Sequence, residues 1–211
     1  MNKKYKLNKK DFVKVDGVKL YRIVALQSFG NVEKGETGGY IQSESNLSDD
    51  GNAWVYGNAL VYGNALVYGD ARVFGDARVY GNAWVYGNAL VFGNARVYGN
   101  ARVYDNAWVY GDARVFGNAR VFGNARVYGN AWVLGNAWVE KTALMYTGSR
   151  HTITVFPDKD GQIMASIGCY LHSLEEWWEI YPAVGADNGY NDKEIREYAA
   201  ALQMFKTIYN K

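Results

Sequence analysis

Between residues 51 and 140 the chain repeats one six-residue phrase, Gly-Asn-Ala-x-Val-Tyr, fifteen times without an insertion or a deletion. It opens at Gly51-Asn52-Ala53-Trp54-Val55-Tyr56 and closes at Gly135-Asn136-Ala137-Trp138-Val139-Glu140. A period this short leaves room for one brief strand and one corner per unit, so the units must stack into a solenoid. Ala and Val stand two apart and point the same way on an extended strand, while the variable residue and the aromatic point the other way. Gly-Asn favours positive φ and lets the chain turn at every unit. The expectation is a solenoid with a thin Ala/Val core.

Val55, followed by Gly57, Asn58 and Ala59, reproduces the aliphatic–turn–small pattern of the hexapeptide-repeat family, and the following hexads repeat it. The chain resembles that family over about ninety residues. The resemblance implies an all-β solenoid, a left-handed parallel β-helix of triangular section with three hexads per coil. Fifteen hexads then make five coils, a shaft about 24 Å tall at strand spacing.

Around this shaft the sequence divides into an N-terminal β-hairpin cap over 1–30, repeats over 31–146 with regular hexads at 51–140, and a C-terminal ββαα module over 147–211. Asp16-Gly17 between Phe12–Val15 and Val18–Leu26 is a hairpin signal. Ile41 and Leu47, six apart, are expected at the small-residue position of a degenerate first coil. Residues 35–51 resemble the start of bacterial hexapeptide proteins that are often labelled acyltransferases on fold alone. After Tyr146, residues 152–156 and 162–169 read as two strands. Ser173-Leu174-Glu175-Glu176 is a capping box for a short helix that Pro182 ends. Asn191 opens a second helix, with Ile195, Ala199, Leu202, Phe205 and Ile208 at helical spacing. Such a unit would cap the shaft. The segment 168–198 resembles the C-terminal module of hexapeptide-repeat proteins from phages and prophages.

The net charge of +2 argues for neither nucleic acid nor an anionic membrane. Lys3, Lys4, Lys6, Lys9 and Lys10 make the N-terminus basic, which suits a solvated strand edge or an acidic partner. Cys169 is the only cysteine, so no internal disulfide forms. With no apolar run of signal or membrane length, the sequence points to the cytoplasm, or a host's cytoplasm if the gene is viral.

Family acyltransferases use a histidine base and a carrier-binding loop, and family carbonic anhydrases need three histidine ligands for zinc. This chain has only His151 and His172, both outside the repeats, and no loop bulges from them. No catalytic residue, metal or cofactor is therefore expected. His172 reads as an exposed position before a helix, and Cys169 as a small core residue of a strand.

Coils of eighteen residues set the outward columns. The first face carries Trp54, Arg72, Leu90, Trp108 and Arg126; the second Leu60, Arg78, Arg96, Arg114 and Trp132; the third Leu66, Trp84, Arg102, Arg120 and Trp138. The sixth position adds aromatic ladders, among them Tyr98 and Tyr104. Ring stacking and cation–π contacts account for Tyr and Arg. The outward Trp and Leu point to burial of a face in a homo-oligomer, with a trimer favoured. Stacked Arg78, Arg96 and Arg114, with Arg102 and Arg120 beside them, need answering anions unless Asp76 and Asp112 neutralise them. Together with Tyr98, Tyr104, Trp132 and Trp138 they suit an anionic aromatic ligand in a groove between shafts. The expected function is non-catalytic binding of a nucleotide-type signal or a protein partner. A self-assembling structural protein and a hexapeptide-family acyltransferase are the alternatives.

Overall fold

The computed structural model describes residues 3–209. Tyr5–Val15 (β1) and Val18–Ala25 (β2) form the hairpin, turned by Asp16 and Gly17 at φ 49° and 81°. Thr37–Ile41 (β3) follows. Fifteen two-residue strands, β4 to β18, then occupy the fourth and fifth positions of every hexad, from Trp54–Val55 to Trp138–Val139. Each pairs in parallel with the strand eighteen residues away, as Arg96 does with Arg78 and Arg114. Three sheets result, one per face, and the chain is a β-solenoid of about six turns once the first irregular coil is included. On the second face β1, β2 and β3 extend the shaft strands into one eight-stranded sheet.

Every Ala and Val of the hexads is buried, at most 1% exposed. Inward and outward positions follow the period, as a strand demands. The corner glycines adopt positive φ, and a Cβ on Gly87 would lie 2.8 Å from the Asp105 nitrogen of the next coil. Asp105 replaces glycine in its own hexad and holds φ 57°. Its Oδ2 accepts from the Gly123 N–H of the next coil at 3.2 Å.

The hydrogen bonds around each corner run one way: N–H groups of one coil donate to carbonyls of the next, as Leu60 to Ala77 and Tyr62 to Val79. The first regular coil therefore presents carbonyls with no shaft donor, and buried carbonyls need partners. The N-terminal segment supplies them. Tyr40 and Gln42 N–H donate to Ala59 and Val61, and Ser48 N–H to Val67. The Asn46 amide reaches Gly63 and Ala65, and Lys4 Nζ reaches Gly51 and Ala53. Burial lowers the pKa of Lys4, while Asp49, Asp50 and Asp70 act against that shift.

The register of this first coil differs from expectation. Ile41 pairs with Val61 and Leu47 bridges Val67, so both stand at the valine position. Gly39, two residues earlier, occupies the tight alanine position, where a Cβ would meet the Ala59 carbonyl at 2.6 Å. The coil is two residues longer than a regular one, and the surplus lies between Leu47 and Ala53, where Asp49 accepts the Lys4 N–H.

Two outward residues are also covered. Trp54 is fully buried beneath Tyr5 and Phe29, at ring distances of 6.1 and 5.3 Å, and its indole N–H has no partner among the described residues. Leu60 packs with Leu20 and Tyr40 of the hairpin sheet. The cap, not a second chain, covers these positions.

The C-terminal module has four antiparallel strands where two were expected: Leu144–Thr147 (β19), Thr152–Pro157 (β20), Ile163–Ile167 (β21) and Tyr170–Ser173 (β22). The strand expected through Cys169 turns at Gly168, φ 57°, so Cys169 is an exposed turn residue and not a core one. Two helices follow, Leu174–Asp187 (α1) and Asp192–Tyr209 (α2). Ser173 and Glu176 form the expected capping box, and Asn191 caps α2. Pro182 does not end α1. One turn later Gly185 sits against Ile195 of α2, and that packing carries the helix past the missing donor. Ile208 lies outside the buried stripe, which is Tyr198, Ala201, Leu202 and Phe205.

The module closes the other end of the shaft. Phe156 joins the shaft core, Thr154 Oγ1 accepts the Trp132 N–H at 3.0 Å, and Ser166 Oγ donates to the Trp132 carbonyl. Among the described residues no helix is long and apolar enough to cross a membrane.

Two pairs of variants test these assignments. Val97→Asp buries an unpaired carboxylate and should cost several kcal/mol, whereas Arg96→Ala beside it should change the melting temperature little. Equal melting temperatures would overturn the assignment of faces. Trp54→Ala should cost about 3–5 kcal/mol and Trp108→Ala, at the same hexad position, within about 1 kcal/mol. Equal losses would show that the N-terminal cap does not cover Trp54.

Candidate functional site

The arginine columns are placed by the repeat itself, because one outward position recurs in register every coil. On the second face Arg96 stands between Arg78 and Arg114. Such neighbours lie about 4.8 Å apart along the ladder, where like charges repel. On the third face Arg102 is beside Arg120.

The aromatic ladders run alongside. Tyr98 is stacked between Tyr80 and Phe116 at 4.9 and 4.8 Å, and Tyr104 between Tyr86 and Phe122 at 4.9 and 5.2 Å. Burial raises the pKa of Tyr98, with Tyr80 adding to the shift and Arg114 and Arg96 opposing it. Tyr104 behaves in the same way, raised by burial and opposed by Arg120 and Arg102. Both tyrosines therefore remain neutral beside guanidinium groups at physiological pH.

Four arginines lie over a tryptophan of the neighbouring coil. Arg102 is 4.7 Å above Trp84, Arg114 4.7 Å above Trp132, Arg120 4.8 Å above Trp138 and Arg126 4.8 Å above Trp108. Cation–π contact thus accounts for Trp132 and Trp138 as partners of arginine within one chain. Among the described residues Arg78 and Arg96 have no such ring beneath them.

Asp76 and Asp112 form no ion pair with the second-face arginines, although Asp76 lines the same recess as Arg78. Among the described residues no shaft arginine forms an ion pair. The two aspartates belong instead to the corner columns, accepting from Asn58 and Asn94 at 3.4 and 2.9 Å. The corner sets their direction, and the flanking asparagine amides supply hydrogen bonds without charge. Arg78, Arg96 and Arg114 thus form a positive column without an ion-paired carboxylate among the described residues.

The nine residues expected to bind fall into two groups. Arg78, Arg96, Arg114, Tyr98 and Trp132 belong to the second face; Arg102, Arg120, Tyr104 and Trp138 belong to the third. The faces meet at a corner, so a single chain does not wrap both groups around one ligand. Arg78 also edges a recess against the hairpin, with Val13, Val15, Tyr40 and Asp76.

A more enclosed cavity lies in the C-terminal module, away from the columns. His151, Trp177, Tyr190 and Tyr198 line it and Cys169 borders it. Of this lining the sequence singled out only Cys169, as a small core residue of a strand. His151 and Tyr190 escaped because four separate segments bring the lining together. The spaced aromatics Tyr181, Tyr190 and Tyr198 are the one trace it leaves in the sequence. His172 has a different setting, half-buried on β22 with its ring edge-on to Trp177 at 5.1 Å and 3.8 Å from Glu176.

No curated protein matches the chain. The YdcK Beta solenoid repeat model matches it in six segments, residues 53–69, 67–81, 71–87, 95–111, 113–127 and 125–140, all within the shaft. The resemblance drawn from the hexads thus stands at the level of a β-solenoid repeat, and in its repeats the chain is similar to the YdcK family.

Proposed function

We propose that this chain is a non-catalytic binding protein in which shafts of a closed homotrimer lie side by side and hold an anionic aromatic small molecule, of the nucleotide type, between their arginine faces. The observation that carries this reading is the Arg78–Arg96–Arg114 column: three guanidinium groups in register with no carboxylate partner among the described residues. Stacking like charges is unfavourable, and a bound anion would reverse the sign of that energy. Tyr80, Tyr98 and Phe116 beside the column offer flat surfaces for a ring. Trp84, Trp108 and Tyr128 remain 36–38% exposed on the shaft and supply apolar area for contact between copies. An acidic segment of a protein partner is the alternative ligand.

The left-handed winding, phage or prophage origin and cytoplasmic location implied by the sequence belong to this same proposal. Self-assembly into open arrays is the second reading. Here the caps matter: β1–β3 and β19–β22 cover the two ends of the shaft, so an array would have to grow through its faces. Acyl transfer is the third reading, and the arginine columns offer it no general base.

Light scattering at micromolar concentration should give three times the 23.6 kDa chain mass. A monomer would remove the shared groove, and a concentration-dependent series of larger masses would favour the array. A thermal-shift screen of linear and cyclic nucleotides should yield a ligand whose affinity falls at least about tenfold in the Arg96→Ala/Arg114→Ala double variant, since each charged hydrogen bond contributes roughly 1.5–3 kcal/mol. Added salt should weaken the same complex. A tight nucleotide indifferent to both substitutions would place the site elsewhere.

A further inference from the structure

The cavity in the C-terminal module lies outside the reading above. Its volume is about 110 Å³. Trp177, Tyr181 and Val184 of α1 form one wall, and Tyr190, Ile195 and Tyr198 from the interhelical turn and α2 form the other. The turn after β21 and the His151 ring close a third side. Tyr190 and Tyr198 meet edge to face at 5.3 Å, leaving ring surfaces toward the cavity.

Most polar atoms around it are already satisfied. Trp177 Nε1 donates to the Ala165 carbonyl at 2.7 Å, and the Tyr198 hydroxyl is bonded to the His151 backbone. Arg150 is paired with Glu194 at 2.9 Å and lies over the outer face of the Tyr190 ring. Its charge is therefore answered before a ligand arrives. His151 Nε2 has no partner among the described residues and lies beside Gly168.

The state of that nitrogen follows from its neighbour. The Tyr190 hydroxyl bonds to His151 Nδ1, and burial pushes the Tyr190 pKa up to about 12. The phenol keeps its proton, and in the tautomer that pairs with it as donor Nδ1 is the acceptor. A neutral imidazole then carries its hydrogen on Nε2, as a donor at the lip of an apolar cavity.

We propose that this cavity binds a small, flat, uncharged aromatic molecule bearing one hydrogen-bond acceptor, of the aryl-amide or aryl-ketone class. An apolar cavity of about 150 Å³ accepts benzene. A space of about 110 Å³ that opens at one side admits one ring and leaves its substituent at the mouth, where His151 Nε2 donates to it. The apolar walls disfavour an ion without a counter-charge, which separates this ligand from the anion of the shaft.

Cys169 makes the test direct. It is the chain's only cysteine, is exposed, and borders the same cavity. The full-length protein is treated with N-ethylmaleimide, and addition of the thiol to the reagent is followed by mass spectrometry with and without benzamide. At ten times the benzamide dissociation constant, taken from calorimetry, modification should slow about tenfold. Val184→Phe fills the cavity and should abolish protection, read against that variant's own unliganded rate. His151→Ala should weaken benzamide binding at least about fivefold with the walls intact, as loss of one hydrogen bond predicts. It serves as the decisive variant if Val184→Phe does not fold. Cyclohexanecarboxamide, which has the acceptor without the flat ring, should protect poorly. Protection absent up to the solubility limit of benzamide, unchanged in His151→Ala, or equal with cyclohexanecarboxamide would each overturn the proposal. The Arg96→Ala/Arg114→Ala variant should keep full protection, so failure at the shaft and failure here are read separately.

Discussion

The shaft depends on one bond pattern, the ladder by which each coil donates its corner and flanking N–H groups to the carbonyls of the next. Strands of two residues are too short to be stable as isolated pairs. They persist because the same register is repeated on three sides and the Ala/Val core runs unbroken through the coils. Corner bonds that run one way give the ladder unlike ends, and the two caps answer them with opposite chemistry. The N-terminal segment brings donors: backbone N–H groups, an asparagine amide and the Lys4 ammonium. The C-terminal sheet brings an acceptor, Thr154 Oγ1, to the last coil of the second face. The caps are therefore parts of the hydrogen-bond system and not simply lids.

The corners and the faces treat polarity differently. At the third corner Asn64, Asn82, Asn100, Asn118 and Asn136 form a continuous ladder in which each amide donates to the next. An aspartate can accept in such a column but cannot pass the bond on, as Asp76 and Asp112 show. The faces repeat arginine and aromatic residues, and four arginines find rings. Repetition that helps an amide thus works against a cation. That contrast makes the central second-face column chemically distinct from the rest of the shaft.

Legibility in the sequence followed the period. Where eighteen residues returned to the same place, the pairing partners, the core and the outward columns could be read before any coordinates, down to Arg96 between Arg78 and Arg114. Outside the period, local signals competed with packing that is long-range in sequence. Two additional residues near Asp49 moved Ile41 and Leu47 to the valine position. Trp54 repeats the pattern of Trp108, yet a segment nearly fifty residues earlier buries it. Pro182 carries a strong local stop signal that the packing of Gly185 on Ile195 outweighs. The charge state of the arginine column was unreadable for a related reason. Proximity of Asp76 along the chain says nothing about where its corner points its side chain.

Because every regular coil offers the next one the same surface, the two caps are indifferent to how many coils separate them. Removing or duplicating eighteen residues within the shaft leaves both junctions chemically unchanged. The distance between the lysine-rich hairpin and the aromatic cavity is thus quantised, in steps of about 4.8 Å. The solenoid is in this sense a ruler, and its length is a property that selection can adjust without redesigning either end.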